Sequence, residues 1–252
     1  GVLARQAQSQ LNLRRRNIQL DDLLRALADS LEVLRHAKAQ AETRSLTGEP
    51  EQPRAALTIG HLRHHGDWNP DPNAMTQWIR LAAQRTTAPV HFTFKPVDPS
   101  LEQLVDTPIL VMTGMDEPKF DDSAVAALQR HLQAGGFLFI NNTSGFAKFD
   151  REARELIARL FSDRKLQSLS ADHPLLAGMF HVETGVDTAT QQQVAVRIEA
   201  IVVDDRAVLV YSPRDTLAML KGIHDPFAHA YDAQTARKVS LNILTYALRQ
   251  DR

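Results

Sequence analysis

Apolar residues recur along this chain with two different periods, and the change between them divides it. In the first segment Leu13, Leu20, Leu27 and Leu34 stand seven apart, with Leu24 and Leu31 interleaved. That spacing predicts an amphipathic helical segment over residues 1–46. Read as heptads, the sevens are d positions and Asn17 falls at an a position, where a buried amide fixes the register of a two-stranded coil. The run holds fewer than four clean heptads, so an amphipathic helix docked on its own domain or on a neighbour fits as well. Thr47-Gly48-Glu49-Pro50-Glu51-Gln52-Pro53 is a linker by composition.

From residue 54 to 252 short apolar runs alternate with amphipathic stretches. Strands are predicted at 55–62, 90–94, 109–112 and 137–140. The third and fourth are apolar throughout, as in strands covered on both faces. Between them lie helical patterns. One carries Met75, Trp78, Ile79 and Ala82 on a single side, with Asn73 or a neighbour as cap. A second starts at Asp121/Asp122 and stops at Gly135-Gly136. Residues 149–161 read as helix, 198–203 and 207–211 as a hairpin around Asp204-Asp205, and Val239, Ile243, Tyr246 and Ala247 as the inner face of a closing helix. Such alternation predicts an α/β fold with a doubly wound, mostly parallel sheet. Ligands in such sheets gather beyond the carboxyl ends of the strands, here the loops 62–72, 113–119 and 141–148.

Composition narrows the chemistry. The 252 residues contain no cysteine, which removes disulfides, zinc fingers, iron–sulfur clusters and thiol nucleophiles. Lys and Arg (29) nearly cancel Asp and Glu (30), so no overall field favours nucleic acid or an anionic membrane. The Arg14-Arg15-Arg16 run is followed closely by Asp21, Asp22, Asp29 and Glu32 and reads as a solvated helix face. No apolar run approaches the roughly 18 residues of a membrane span. The chain starts at Gly1, which suggests that a signal peptide, an anchor or a cloning remnant preceded it. No Gly-x-Gly-x-x-Gly or Walker loop is present, and no cofactor is expected.

Four groups of residues can carry chemistry. Asn141-Asn142-Thr143-Ser144-Gly145 follows a strand and precedes a helix, the setting of a nucleophile elbow, with Ser144 as nucleophile. Asn142, however, stands where that motif's first Gly belongs, and a turn held by its own Asn side chains is the plainer reading. His61, His64, His65 and Asp67 can suggest a metal, but their spacing matches no zinc signature and a structural or surface role is favoured. Asp172-His173 and His224-Asp225 are two acid–histidine pairs, each followed by Pro; either can act near neutral pH or merely stabilise a loop. Trp68 can be an aromatic platform or a core anchor beneath its loop.

Ordered stretches carry a resemblance. They are Gly66-Asp67-Trp68 with Pro70-Asp71-Pro72; Pro108 through Gly114; Phe120-Asp121-Asp122 leading to Gly135-Gly136-Phe137-Leu138; Phe149 and Arg151; Asp172-His173-Pro174-Leu175; Arg206, Val208 to Ser212 and Asp215; and Asn242 through Leu248. Along residues 55–249 this set resembles the bacterial domain-of-unknown-function family number forty-one fifty-nine. That family resembles class I glutamine-amidotransferase-like and flavodoxin-like folds. The resemblance implies a catalytic Cys at a strand-to-helix elbow in the related enzymes, which this chain lacks. It also implies an acid pair where this chain has Asn141-Asn142, and an extracytoplasmic location.

The resulting expectation is a non-catalytic binding or assembly module, self-associating or taking a protein partner through the helix with Leu13, Leu20, Leu24, Leu27, Leu31 and Leu34. Its ligand residues would be Asp67, Trp68, Asn141, Asn142, Asp172, His173, Asp215 and His224. Two alternatives stand beside it. One is a hydrolase-like pocket of Asp67, Trp68, Asn141, Asn142, His173 and His224, with Ser144, His173 and His224 as its weak catalytic candidates. The other is a domain that binds carbohydrate or an envelope polymer through Trp68 and the Asp and Asn groups.

Overall fold

The inner strands of the central sheet send their side chains into two apolar layers. A computed structural model describes residues 55–85, 90–221 and 227–249. The chain divides into the units Gly1–Pro53 and Arg54–Arg252. The N-terminal helical segment and His224 lie outside the described residues.

The elements run β1 (Ala55–Leu62), α1 (Pro72–Arg85), β2 (Val90–Val97), α2 (Leu101–Leu104), β3 (Ile109–Gly114), α3 (Asp122–Gln133), β4 (Phe137–Asn142), a 3₁₀ turn (Thr143–Gly145) and α4 (Ala147–Leu160). Then come β5 (Gln167–Ser168), β6 (Thr184–Val186), β7 (Gln193–Ala195), β8 (Glu199–Val203), β9 (Arg206–Ser212), a second 3₁₀ turn (Ala218–Lys221) and α5 (Ala233–Arg249). Seven strands form one sheet in the order β2-β1-β3-β4-β9-β8-β5. β2, β1, β3, β4 and β9 are parallel, and β8 and β5 are antiparallel additions at one edge. The fold is therefore α/β with a mostly parallel, mixed sheet, and β6 and β7 form a separate antiparallel pair.

In β3, Ile109 and Val111 join the layer that holds Met75 and Trp78 of α1 and Val239 and Ile243 of α5. Leu110 and Met112 join the opposite layer, with Leu128 and Leu132 of α3 and Phe149 and Leu156 of α4. Both faces are covered, which is why this strand is apolar without a break. Trp78 is fully buried and its indole N–H donates to the Ser240 carbonyl at 3.0 Å, tying α1 to α5. Full burial of each such side chain contributes about 1.5–3 kcal/mol.

Local signals explain the boundaries. Pro72 occupies the first position of α1, where its missing N–H costs nothing, so Asn73 lies inside the first turn and not at the cap. Asp121 caps α3 by accepting the Ala124 N–H at 2.7 Å. The β8–β9 hairpin turns on Asp204 and Asp205, both left-handed at φ 50° and 61°, as a two-residue type I′ turn requires. β2 and β4 run further than their apolar cores predict, to Val97 and Asn142.

Candidate functional site

The direction of winding reverses between β1 and β3, whose neighbours β2 and β4 lie on opposite sides. At that point the loops following β1, β2 and β3 enclose a crevice of about 420 Å³. Arg63, His64, His65 and Trp68 line it from the first loop, Asp98 and Ser100 from the second, and Lys119, Phe120, Asp121 and Ser123 from the third.

Thr113, at the end of β3, organises its floor. The Thr113 hydroxyl donates to the Trp68 carbonyl at 2.8 Å. Its single proton is thereby committed, so His61 Nε2, 2.9 Å from the same oxygen, is the donor in that second bond. His64 Nε2 donates to the Thr113 carbonyl at 2.9 Å. Burial pushes the His61 imidazole down to about 4, with the neighbouring His64 adding to the effect and a hydrogen bond to the Trp68 backbone carbonyl opposing it. Burial lowers His64 as well. Both histidines are therefore neutral donors near neutral pH. The metal reading of His61, His64, His65 and Asp67 finds no support in this geometry: no set of three or more metal-ligating side chains converges among the described residues. Asp67 is spent on backbone, its carboxylate accepting the N–H groups of Met115 at 3.0 Å and Asp116 at 2.9 Å. It pins the loop after β3 to the loop after β1.

Trp68 is half-buried, neither a core anchor nor a bare platform. Its ring meets His61 edge-on at 4.9 Å, and the Arg63 guanidinium lies 5.4 Å from its centroid. The cations of the crevice are matched. Arg63 pairs with Asp98 at 3.7 Å and Lys119 with Glu117 at 3.3 Å.

A second junction lies where β4 ends beside β9. Asn141 and Asn142 still belong to β4 and are buried; the turn itself is Thr143–Gly145. Asn141 Nδ2 donates to Asp215 Oδ1 at 3.0 Å, and Asn141 Oδ1 accepts the Thr216 N–H and hydroxyl, both at 2.9 Å. Asp215 is fully buried and also accepts the N–H groups of Ser144, Leu217 and Ala218 at 2.8, 2.8 and 2.9 Å. Asn142 donates to the carbonyls of Phe146 and Pro213. These groups hold one another. Ser144 sits at the turn in a left-handed conformation, φ 59°.

Beside it stands a pair that sequence reasoning missed. Asp187, fully buried, accepts from His229 Nδ1 at 3.1 Å and from Arg214, besides the backbone of Ala189 and Thr190. Burial alone would raise the Asp187 carboxyl; hydrogen bonds from Thr190 and His229 and the Arg214 charge outweigh it and hold it below the usual range. Asp187 and His229 are 42 residues apart and belong to no motif, so no local signal exposes them.

His173 lies at the other end of the sheet. Its Nδ1 accepts the Leu175 N–H at 3.1 Å, and its ring is 5.7 Å from Tyr246. The Tyr246 hydroxyl accepts the N–H of Ala207, at the start of β9, whereas Asn141 pairs with Ser212 at its end. Five residues of strand separate them, about 17 Å. Asp172 is exposed. Asp172 and His173 thus lie apart from the others, whereas Asn141 and Asp215 adjoin the Trp68 loop across Thr113, which pairs with Asn141 in the sheet.

Comparison of the sequence with protein families agrees with the resemblance noted above. The family described as a domain of unknown function, DUF4159, matches residues 58–248. The chain belongs to the DUF4159 family. The DUF4159 match spans the whole sheet, from β1 to within the last turn of α5, and so includes the crevice and the β4–β9 junction. No curated protein matches the chain.

Proposed function

We propose that this DUF4159 unit is a binding module whose ligand occupies the crevice over β1, β2 and β3. The observation that carries the reading is the place of the 420 Å³ crevice, at the carboxyl ends of three parallel strands where the sheet order reverses. That is where open α/β sheets receive ligands. The strand order β2-β1-β3-β4 supports the finer description of the fold as flavodoxin-like, and with it the amidotransferase-like resemblance. The crevice is not asked to do chemistry: His64 in its wall is neutral and tied to the Thr113 carbonyl, and the Asp67 carboxylate in the same loop is committed to two backbone amides.

Its lining favours a neutral, hydroxylated ligand over a charged one. Arg63 and Lys119 already have acidic partners, Asp121 caps α3, and the remaining surface combines Trp68 and Phe120 with Ser100 and Ser123. Aromatic faces beside hydroxyl and carboxylate groups are how saccharides are held. Trp68 supplies the readout, because the only other tryptophan, Trp78, is fully buried. Titration with a panel of neutral oligosaccharides should change Trp68 fluorescence, and calorimetric binding should be lost in Trp68→Ala with the circular dichroism spectrum unchanged. Unaltered fluorescence and no heat across the panel at millimolar concentration would overturn the saccharide assignment.

A further inference from the structure

We infer that the β4 junction is a second site, an ester-cleaving one, in which Ser144 is the nucleophile, His229 the general base and Asp187 the group that orients the base. This goes beyond the binding reading and stands on different residues.

The geometry begins with Ser144. It follows a buried parallel strand by two residues, lies in a one-turn connection to α4, and holds φ 59°, ψ 6°, a conformation that costs a non-glycine residue about 1 kcal/mol or more. The strain is over-determined on both sides. The Ser144 N–H is bound by the buried carboxylate of Asp215, and its carbonyl accepts the His229 N–H at 3.0 Å. Ser144 and His229 are therefore backbone neighbours, although 85 positions apart in the sequence. A carboxylate only accepts, so the bond between His229 Nδ1 and Asp187 puts the imidazole proton on Nδ1 and leaves Nε2 as the base. Asp187 is sealed from water while the His229 side chain is half exposed. Among the described residues neither Ser144 Oγ nor His229 Nε2 takes a hydrogen bond, from the other or elsewhere; Ser144 is half-buried and the His229 side chain half exposed, and the bond between nucleophile and base is one that forms with substrate bound. The nucleophile–acid–histidine order along the chain is also that of α/β-hydrolases, an analogy of arrangement only.

In the first step Ser144 Oγ attacks the ester carbonyl carbon and its proton passes to His229 Nε2. The carbon–oxygen bond to the alcohol then breaks, and the alcohol leaves with that proton. Water attacks the acyl-serine, giving one proton to His229; the bond to Ser144 breaks, Ser144 Oγ recovers the proton, and the carboxylic acid departs. α4 begins at Ala147 with no side-chain cap, so the positive end of its dipole lies beside the turn where the oxyanion develops. Phe146, 46% exposed, follows Ser144 by two residues, and Phe227, 85% exposed, precedes His229 by two. These rings suit an ester with an apolar acyl chain.

The test uses the full chain, p-nitrophenyl butyrate and a fluorophosphonate probe. The probe should add one label per chain, located on the peptide containing Ser144, and p-nitrophenolate release should show a burst. Ser144→Gly removes the nucleophile and suits the left-handed backbone, so it should remain folded while labelling disappears and hydrolysis falls by about 100-fold or more. His229→Gln should slow labelling by a similar factor. A label on any other residue, no label, or hydrolysis unchanged in Ser144→Gly would overturn the proposal.

Discussion

The two histidines on Thr113 make the stability of this sheet depend on acidity, and His61 allows the dependence to be sized. Its imidazole falls from 6.5 to about 4 because burial opposes the charged form. Between those values the unfolded chain binds a proton that the folded chain refuses. Acid therefore favours unfolding: the contribution is fully present above pH 6.5 and is lost as pH falls toward 4. The fall from 6.5 to about 4, at 1.36 kcal/mol per pH unit, amounts to about 3 kcal/mol. The informative substitution is His61→Gln, whose side-chain amide still offers Thr113 an N–H but does not titrate. Urea unfolding followed by circular dichroism at several pH values from 7 to 4.5 gives stability against pH for both proteins. The wild-type curve should fall more steeply than the variant's below pH 6, by up to about 1.4 kcal/mol per pH unit. His64, also lowered by burial, contributes with the same sign to both curves, so the difference reads His61 together with its coupling to His64. Parallel curves would show that His61 accepts a proton in the folded state without penalty, and the account of its environment would fail.

Other outcomes are equally specific. A methyl group at Gly136 would sit 2.2 Å from His131 Nε2, so Gly136→Ala should cost about 2 kcal/mol in urea unfolding; adding His131→Ala should make the pair less than additive. Asp215→Asn turns a donor toward N–H groups that need an acceptor and should cost about 3 kcal/mol by the same assay. Both apolar layers lie within the unit 54–252, so that fragment should unfold cooperatively within a few degrees of the full chain. Light scattering should give a larger assembly for the full chain than for the fragment if the leucine-spaced segment self-associates; a monomer in both would end that idea.

The sheet was legible in the sequence wherever burial on two faces demanded unbroken apolar runs, as at Ile109–Met112 and Phe137–Ile140. Turn chemistry did as well: Asp204-Asp205 and Asp121 mark a hairpin and a cap for local reasons. The strand ends were missed for a shared reason. Thr113, Asn141 and Asn142 look like loop residues, yet they are buried because tertiary partners take up their polar groups, all but the Asn142 side-chain oxygen, with Asp215 reaching Asn141 across 74 positions. The adjacent pair Asp172-His173 suggested an acid–base unit, but the His173 ring takes a backbone N–H two residues on and leans on Tyr246. Proximity in sequence was a poor guide there, and the closer pair, Asp187 with His229, was assembled by the fold from separate segments.

One contact has a consequence that reaches past this chain. Asn141 meets Asp215 as an amide meeting an acid, 3.0 Å from Nδ2 to Oδ1, and every hydrogen in that bond is accounted for. Exchange the amide for a second acid and the same spacing sets two carboxylates against each other inside a dry junction. They could not both stay ionised: one would retain a proton across the neutral range, or a cation would have to enter between them. A single nitrogen at position 141 thus keeps this junction to one carboxylate, whose lone pairs are met by N–H groups. The Asn141→Asp exchange would convert a structural clasp into a proton-sharing or cation-seeking centre without moving the backbone.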